Sequence, residues 1–232
     1  MTYARRALLR EIGWVLLIGV LPIFLLGAFT YPPCAEEPPS PFPYVALPGP
    51  VHVALVIYAY LSFVFAPMVA IARSRRPLSH FGITWHGAGD IACGLAASFA
   101  NYVAGWMIWG GYFVTGFPLG LESIRAFHYV HASSVHEFLG VWLWYVLVVF
   151  AEELVARCWL ITRLRDLTGS TPVAIVGAAA LYAGWHLFWG MAGAFHVFVA
   201  GLIFGALFTC CGGWGAPLVG HWVFDALTLL PR

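Results

Sequence analysis

Three short stretches of this sequence carry side chains able to do chemistry. Phe150-Ala151-Glu152-Glu153-Leu154-Val155-Ala156-Arg157 sets two carboxylates and a guanidinium inside a run of apolar residues. Tyr182-Ala183-Gly184-Trp185-His186 sets an imidazole among aromatic rings, and His221-Trp222-Val223-Phe224-Asp225 sets an imidazole four positions from a carboxylate. Carboxylates and imidazoles are the usual agents of proton transfer, and both ligate metals. Glu153 and Arg157 stand at i and i+4, share a helix face and can pair. Glu152 points about 100° away and is free to face something else. An intrahelical ion pair would account for one glutamate and the arginine; the second glutamate is surplus to it. His186 alone reads equally well as a hydrogen-bonded packing residue. His221 and Asp225 can bond each other, or converge on one ligand.

The elements that must carry these residues are set by composition. Of the 232 residues 62% are hydrophobic and 9% are charged, against about 25% charged in a soluble domain. So few charges cannot cover a surface in water, whereas lipid solvates apolar faces directly. Spanning the hydrocarbon takes about 20 apolar residues in a helix. Seven segments meet this, some with tilt: Ile12–Phe29, Val51–Ala72, Asp90–Phe117, Glu137–Ile161, Pro172–Gly190, Ala194–Cys211 and Gly215–Leu230. The expected fold is all-α, a polytopic helical bundle forming one integral membrane domain over 1–232. Within it, 1–135 holds the N-terminal spans and a Pro-rich connector, and 136–232 a catalytic core. The apolar run from Ile12 is too long for a signal-peptide core and reads as a retained first span.

The loops orient the bundle. Arg5, Arg6, Arg10, Arg73, Arg75, Arg76, Arg163 and Arg165 all fall on one side of seven spans, while Arg125, Arg232, Glu36, Glu37 and Glu122 fall on the other. The positive-inside rule then gives a cytoplasmic N-terminus and an external C-terminus in a plasma (inner) membrane. The Tyr31–Pro50 connector holds eight prolines and reads as extended and external. Gly116–Ser134, with His128 and His131, reads as a short interfacial helix. Net charge is +1 with no basic run, which argues against nucleic acid as a partner. The five cysteines show no metal spacing.

Ionisable residues inside a bilayer cost about 2.5–3.5 kcal/mol each on insertion scales, so they mark function by default. At a rise of 1.5 Å per residue, Glu152, His186, His221 and Asp225 all lie within about 6 Å of the middle of their own spans. They can form one site if the fourth, fifth and seventh spans are neighbours. His196 reads as boundary packing, Asn101 as packing, and Gly201-x3-Gly205 as a pattern permitting close helix contact.

Glu-Glu-x3-Arg (152–157), aromatic-x3-His (182–186) and His-x3-Asp (221–225), in this order on successive apolar helices, resemble the CPBP family: CAAX proteases and bacteriocin-processing enzymes, also called the Abi family of glutamic-type intramembrane endopeptidases. Phe81-Gly82-Ile83 is similar to a further recurring feature. The resemblance covers about Glu137 to Leu230; Tyr182 stands where the family usually has Phe. It implies that Glu152 with His186 holds and deprotonates a water, while His221 and Asp225 stabilise the oxyanion. Glu153, Arg157 and Tyr182 support them. The substrate would be a membrane-associated peptide or protein: a C-terminal sorting tail, a leader, or a prenylated CAAX-like end. No cofactor is expected; zinc on Glu152, His186 and His221 is the alternative, although the sequence has no HExxH. The rival functions are a non-catalytic membrane binding or immunity protein and a proton-coupled transporter. A transporter should show broken helices or matching halves, and here the polar residues all lie in the second half.

Overall fold

The computed structural model describes residues 3–30, 47–115 and 135–228. The described residues form seven helical rods, in agreement with an all-α membrane bundle. The first is α1 (Tyr3–Val15), a π-helical turn at Leu16–Val20, and α2 (Leu21–Thr30). Next come α3 (Gly49–Arg73) and α4 (Ala88–Thr115), separated by a 3-10 turn at Leu78–Phe81. The fourth rod is α5 (Val135–Glu153), a π segment at Leu154–Ile161, and α6 (Thr162–Thr168). The chain closes with α7 (Thr171–Gly184), α8 (Gly190–Cys210) and α9 (Gly215–Thr228). Four stretches are long and apolar enough to cross a membrane: Arg5–Phe29, Gly49–Arg73, Ala88–Ile108 and Gly193–Cys210. Helix α7 is apolar but shorter. The Pro-rich connector through residue 46, with Cys34, and the 116–134 segment, with His128 and His131, lie outside the described residues.

Local sequence explains the breaks between rods. Gly169 ends α6 in the left-handed region at φ 71°, and the Ser170 side chain then caps α7 by accepting from the Val173 amide, with proline in the first turn. That is the usual exchange of glycine stop for serine start. The fifth rod differs from the expected Pro172–Gly190 span: α7 stops at Gly184. The His186 amide donates to the Ala183 carbonyl, three residues back, leaving the Tyr182 carbonyl without its α-helical donor. The His186 ring supplies one, with Nδ1 2.8 Å from that oxygen. The side chain thereby ends the helix and fixes its own position.

Packing brings the last rods together. Helix α9 runs along α4, α7 along α8, and the Leu154–Ile161 segment touches α3, α5, α7 and α8. Gly94 and Gly220 let α4 and α9 touch backbone to backbone: a Cβ on Gly220 would stand 2.7 Å from the Gly94 carbonyl oxygen. The Gly201-x3-Gly205 stripe on α8 faces Ala179 and Ile175 of α7. The Phe81-Gly82-Ile83 turn also has a packing role. Phe81 is fully buried, and the Gly82 carbonyl accepts from the Trp214 amide at 2.9 Å, tying this turn to the start of α9.

Candidate active site

Glu152 and Glu153 close α5 immediately before the π segment. A π turn is wider than an α turn and is frequent at functional sites. Arg157 lies within this segment rather than in the α-helix that the spacing argument assumed, yet it still pairs with Glu153, at 3.3 Å from Nη1 to Oε1. Four residues nearly complete a π turn, so the two remain on one face. The two glutamates face different surroundings. The Glu153 side chain has no exposure, while that of Glu152 is 14% exposed. Of the pair, Glu152 is therefore the one that a water or a substrate can reach.

Four side chains converge on Glu152 or its neighbours. His186 Nε2 lies 3.5 Å from Glu152 Oε1. The Tyr182 hydroxyl donates to Glu152 Oε2 at 2.7 Å, which is the partner that its extra oxygen requires. His221 Nε2 lies 3.6 Å from Glu152 Oε2, 3.4 Å from the Tyr182 oxygen and 3.7 Å from Asp225 Oδ2. The other edge of His221 faces Glu153: Nδ1 donates to Oε1 at 2.8 Å. Thus Glu152, Tyr182, His186, His221 and Asp225, from three separated parts of the sequence, meet in one place. Glu153 has a contact that the sequence did not disclose. Spacing pairs it with Arg157, but it also orients His221, 68 positions away, and no periodicity reports such a tertiary contact.

Hydrogen bonding also fixes proton positions. A carbonyl only accepts, so His186 Nδ1 carries the proton given to Tyr182, and in the neutral ring Nε2 presents a lone pair toward Glu152. A carboxylate oxygen and an imidazole lone pair facing each other are two acceptors. A water donating one hydrogen to each would satisfy both. Behind them Arg157 holds the site from below. Its guanidinium lies 4.5 Å from the Tyr182 ring centroid and 5.6 Å from that of Phe204. Phe204 in turn stacks on His221 at 5.5 Å. Among the described residues, the guanidinium nitrogens make no hydrogen bond, so Glu153 and these two ring faces meet the charge.

Zinc finds no ready cage. Among the described residues no three His, Cys, Asp or Glu side chains are grouped as metal ligands. The two imidazoles address different oxygens of Glu152, and Tyr182 already occupies one of these. His196 is buried near the start of α8, with its ring 5.6 Å from Phe224. Asn101 is buried in α4, and its side-chain oxygen makes no hydrogen bond among the described residues.

A comparison with known families decides the class. The Rce1-like family, type II CAAX prenyl endopeptidases, matches residues 134–227. Over residues 134–227 the chain is thus similar to the CAAX-protease family, as its three motifs implied. No curated protein and no solved structure matches the chain. The Rce1-like segment holds α5, the π segment and α6 to α9, and hence every residue converging on Glu152. The match supports an intramembrane endopeptidase, and four helices long and apolar enough to cross a membrane agree with it.

Proposed function

We propose that this protein hydrolyses a peptide bond of a membrane-associated peptide or protein with water activated by Glu152 and His186. The observation carrying this reading is the pair of acceptors that Glu152 Oε1 and His186 Nε2 present to each other at 3.5 Å. A water bridging the two from their accessible side gives a proton to Glu152, and its oxygen attacks the scissile carbonyl carbon. The developing oxyanion accepts from the Nε2–H of a protonated His221, whose Nδ1–H is anchored on Glu153 and whose Nε2 edge faces the site. Asp225 acts by orienting that edge or as a neutral acid, since an ionised carboxylate would repel the oxyanion. As the C–N bond breaks, Glu152 returns its proton to the leaving amine. No metal takes part. The substrate is a leader, a hydrophobic C-terminal sorting tail or a prenylated CAAX-like end rather than a soluble peptide, because the reacting groups lie within apolar helices.

Glu152→Gln tests the base. Removing a positioned acid–base group costs about 10²–10⁴-fold in rate, with membrane insertion unchanged. Membrane and secreted proteomes of cells with the wild-type chain and with Glu152→Gln should differ in a set of new protein termini. Equal sets of termini, or a purified Glu152→Gln protein cleaving such a substrate at the wild-type rate, would remove Glu152 from the role of base.

A further inference from the structure

Away from the Glu152 site, a second polar cavity opens between α1 and α3. It has a volume of about 410 Å³ and is lined by Arg6, Arg10, Glu11 and Trp14 of α1 and Ala70 and Arg73 of α3, with Ala7 at its edge. Arg6, Arg10 and Trp14 follow at steps of four and form one stripe on α1. The acid in the wall does not neutralise this stripe, because its oxygens are engaged elsewhere. Glu11 Oε1 takes Arg163 Nε at 2.6 Å and Trp159 Nε1 at 3.2 Å, and Oε2 takes Arg163 Nη2 at 3.3 Å. Among the described residues Arg6, Arg10 and Arg73 form no ion pair. Three guanidinium groups around one cavity repel one another until an anion enters.

The position of the cavity narrows the choice of anion. It lies where the spans Arg5–Phe29 and Gly49–Arg73 meet their basic ends. From it an exposed apolar rail runs down each helix: Leu17, Ile18 and Leu25 on the first rod, Val69 and Phe65 on α3. Trp14 follows Arg10 by one turn and adds to the cavity an amphipathic ring of the kind enriched near membrane boundaries. A free phosphate would use the arginines alone. A glycerophospholipid would use the arginines with its phosphodiester and the rails with its acyl chains.

We infer that the Arg6–Arg10–Arg73 cavity binds the headgroup of an anionic phospholipid. The Glu11 wall connects this site to Trp159 and Arg163, on the same rod as Glu152 and Glu153, so the bound lipid braces α1 and α3 against the rod that carries the glutamates. The inference is independent of the reaction proposed above, and its test reads binding alone.

The test is native mass spectrometry of the full chain, released from detergent containing phosphatidylglycerol or phosphatidylcholine. One phosphatidylglycerol should remain per chain, and phosphatidylcholine should not. A surface arginine contributes about fivefold to anionic-lipid affinity. Arg6→Gln, Arg10→Gln and Arg73→Gln should each weaken retention about fivefold, and the triple variant about a hundredfold. Arg76→Gln, an exposed position on the same basic side but outside the cavity, should keep the lipid. If the triple variant does not fold, the single variants decide. Equal retention of the two lipids, wild-type retention in the arginine variants, or an equal loss with Arg76→Gln would overturn the inference. Displacement of the lipid by millimolar inorganic phosphate would reassign the cavity to a small soluble anion.

Discussion

The two neighbouring glutamates have different work because their side chains leave the helix in different directions. Glu153 is fully buried, with Arg157 and His221 as partners, while Glu152 reaches accessible space. Tyr182 connects the two sets, donating to Glu152 through its hydroxyl and lying under Arg157 with its ring. Replacing it separates these functions. Tyr182→Phe keeps the ring and removes one donor to a carboxylate, an interaction of about 1.5–3 kcal/mol. The expected outcome is a folded protein whose cleavage rate falls by about tenfold or somewhat more, with KM little changed, read in a reconstituted peptide assay. A Tyr182→Phe rate equal to wild type would show that the hydroxyl does not help to hold Glu152. Metal content gives a second test at this scale. A zinc site needs three protein ligands at about 2.0–2.2 Å with partners behind each histidine, and here His221 Nδ1 is bound to Glu153 while Tyr182 engages Glu152. Purified protein should hold far less than one zinc per chain, and activity should survive membrane-permeant chelators. Stoichiometric zinc by elemental analysis, with activity lost on its removal and restored on its return, would replace the glutamate mechanism with a metalloprotease one.

Among the elements, α9 depends most on close approach. His221 follows Gly220, whose missing side chain is what lets α9 lie on the α4 backbone at Gly94. Gly220→Val should push the helices apart or strain them, costing about 1–3 kcal/mol as overpacked sites do. The expected result is a lower unfolding temperature in detergent together with reduced cleavage, since His221 moves with α9. An unchanged melting curve with wild-type cleavage would show that this contact does not set the position of His221. The same elements mark what could be read from the sequence. The rods were legible because an apolar run of membrane length has few alternatives, and the polar residues stood out because they are costly there. Glu152, His186, His221 and Asp225 could be expected to meet from their common depth. The π segment after Glu153 was not legible, because the residues from Leu154 to Ile161 carry the same apolar pattern as an α-helix. Neither was the early end of α7, which depends on a ring bonding to a carbonyl rather than on glycine or proline. The Glu153–His221 contact was hidden for a further reason: helix periodicity reports faces within a rod and is silent about which rods touch.

For the whole molecule, orientation decides which compartment the substrate comes from. Seven crossings would put the two ends of the chain on opposite sides, and eight of the eleven positive residues would then share one side. Positive charge in short loops is retained in the cytoplasm. In that orientation the basic cavity between α1 and α3 would face the cytoplasmic leaflet, which carries the anionic lipids. The 31–46 connector, which contains Cys34, should then be external. A variant keeping Cys34 as its single cysteine should react with a membrane-impermeant maleimide on intact cells. A second variant, lacking native cysteines and carrying Arg76→Cys in the exposed turn after α3, should react only after permeabilisation. The reverse pattern would invert the bundle. The leaders or sorting tails would then have to reach Glu152 from the opposite face, and the arginines of the cavity would face the external leaflet. Labelling of both positions from outside would mean that α3, the rod between them, does not cross, which would remove the charge asymmetry on which the orientation rests.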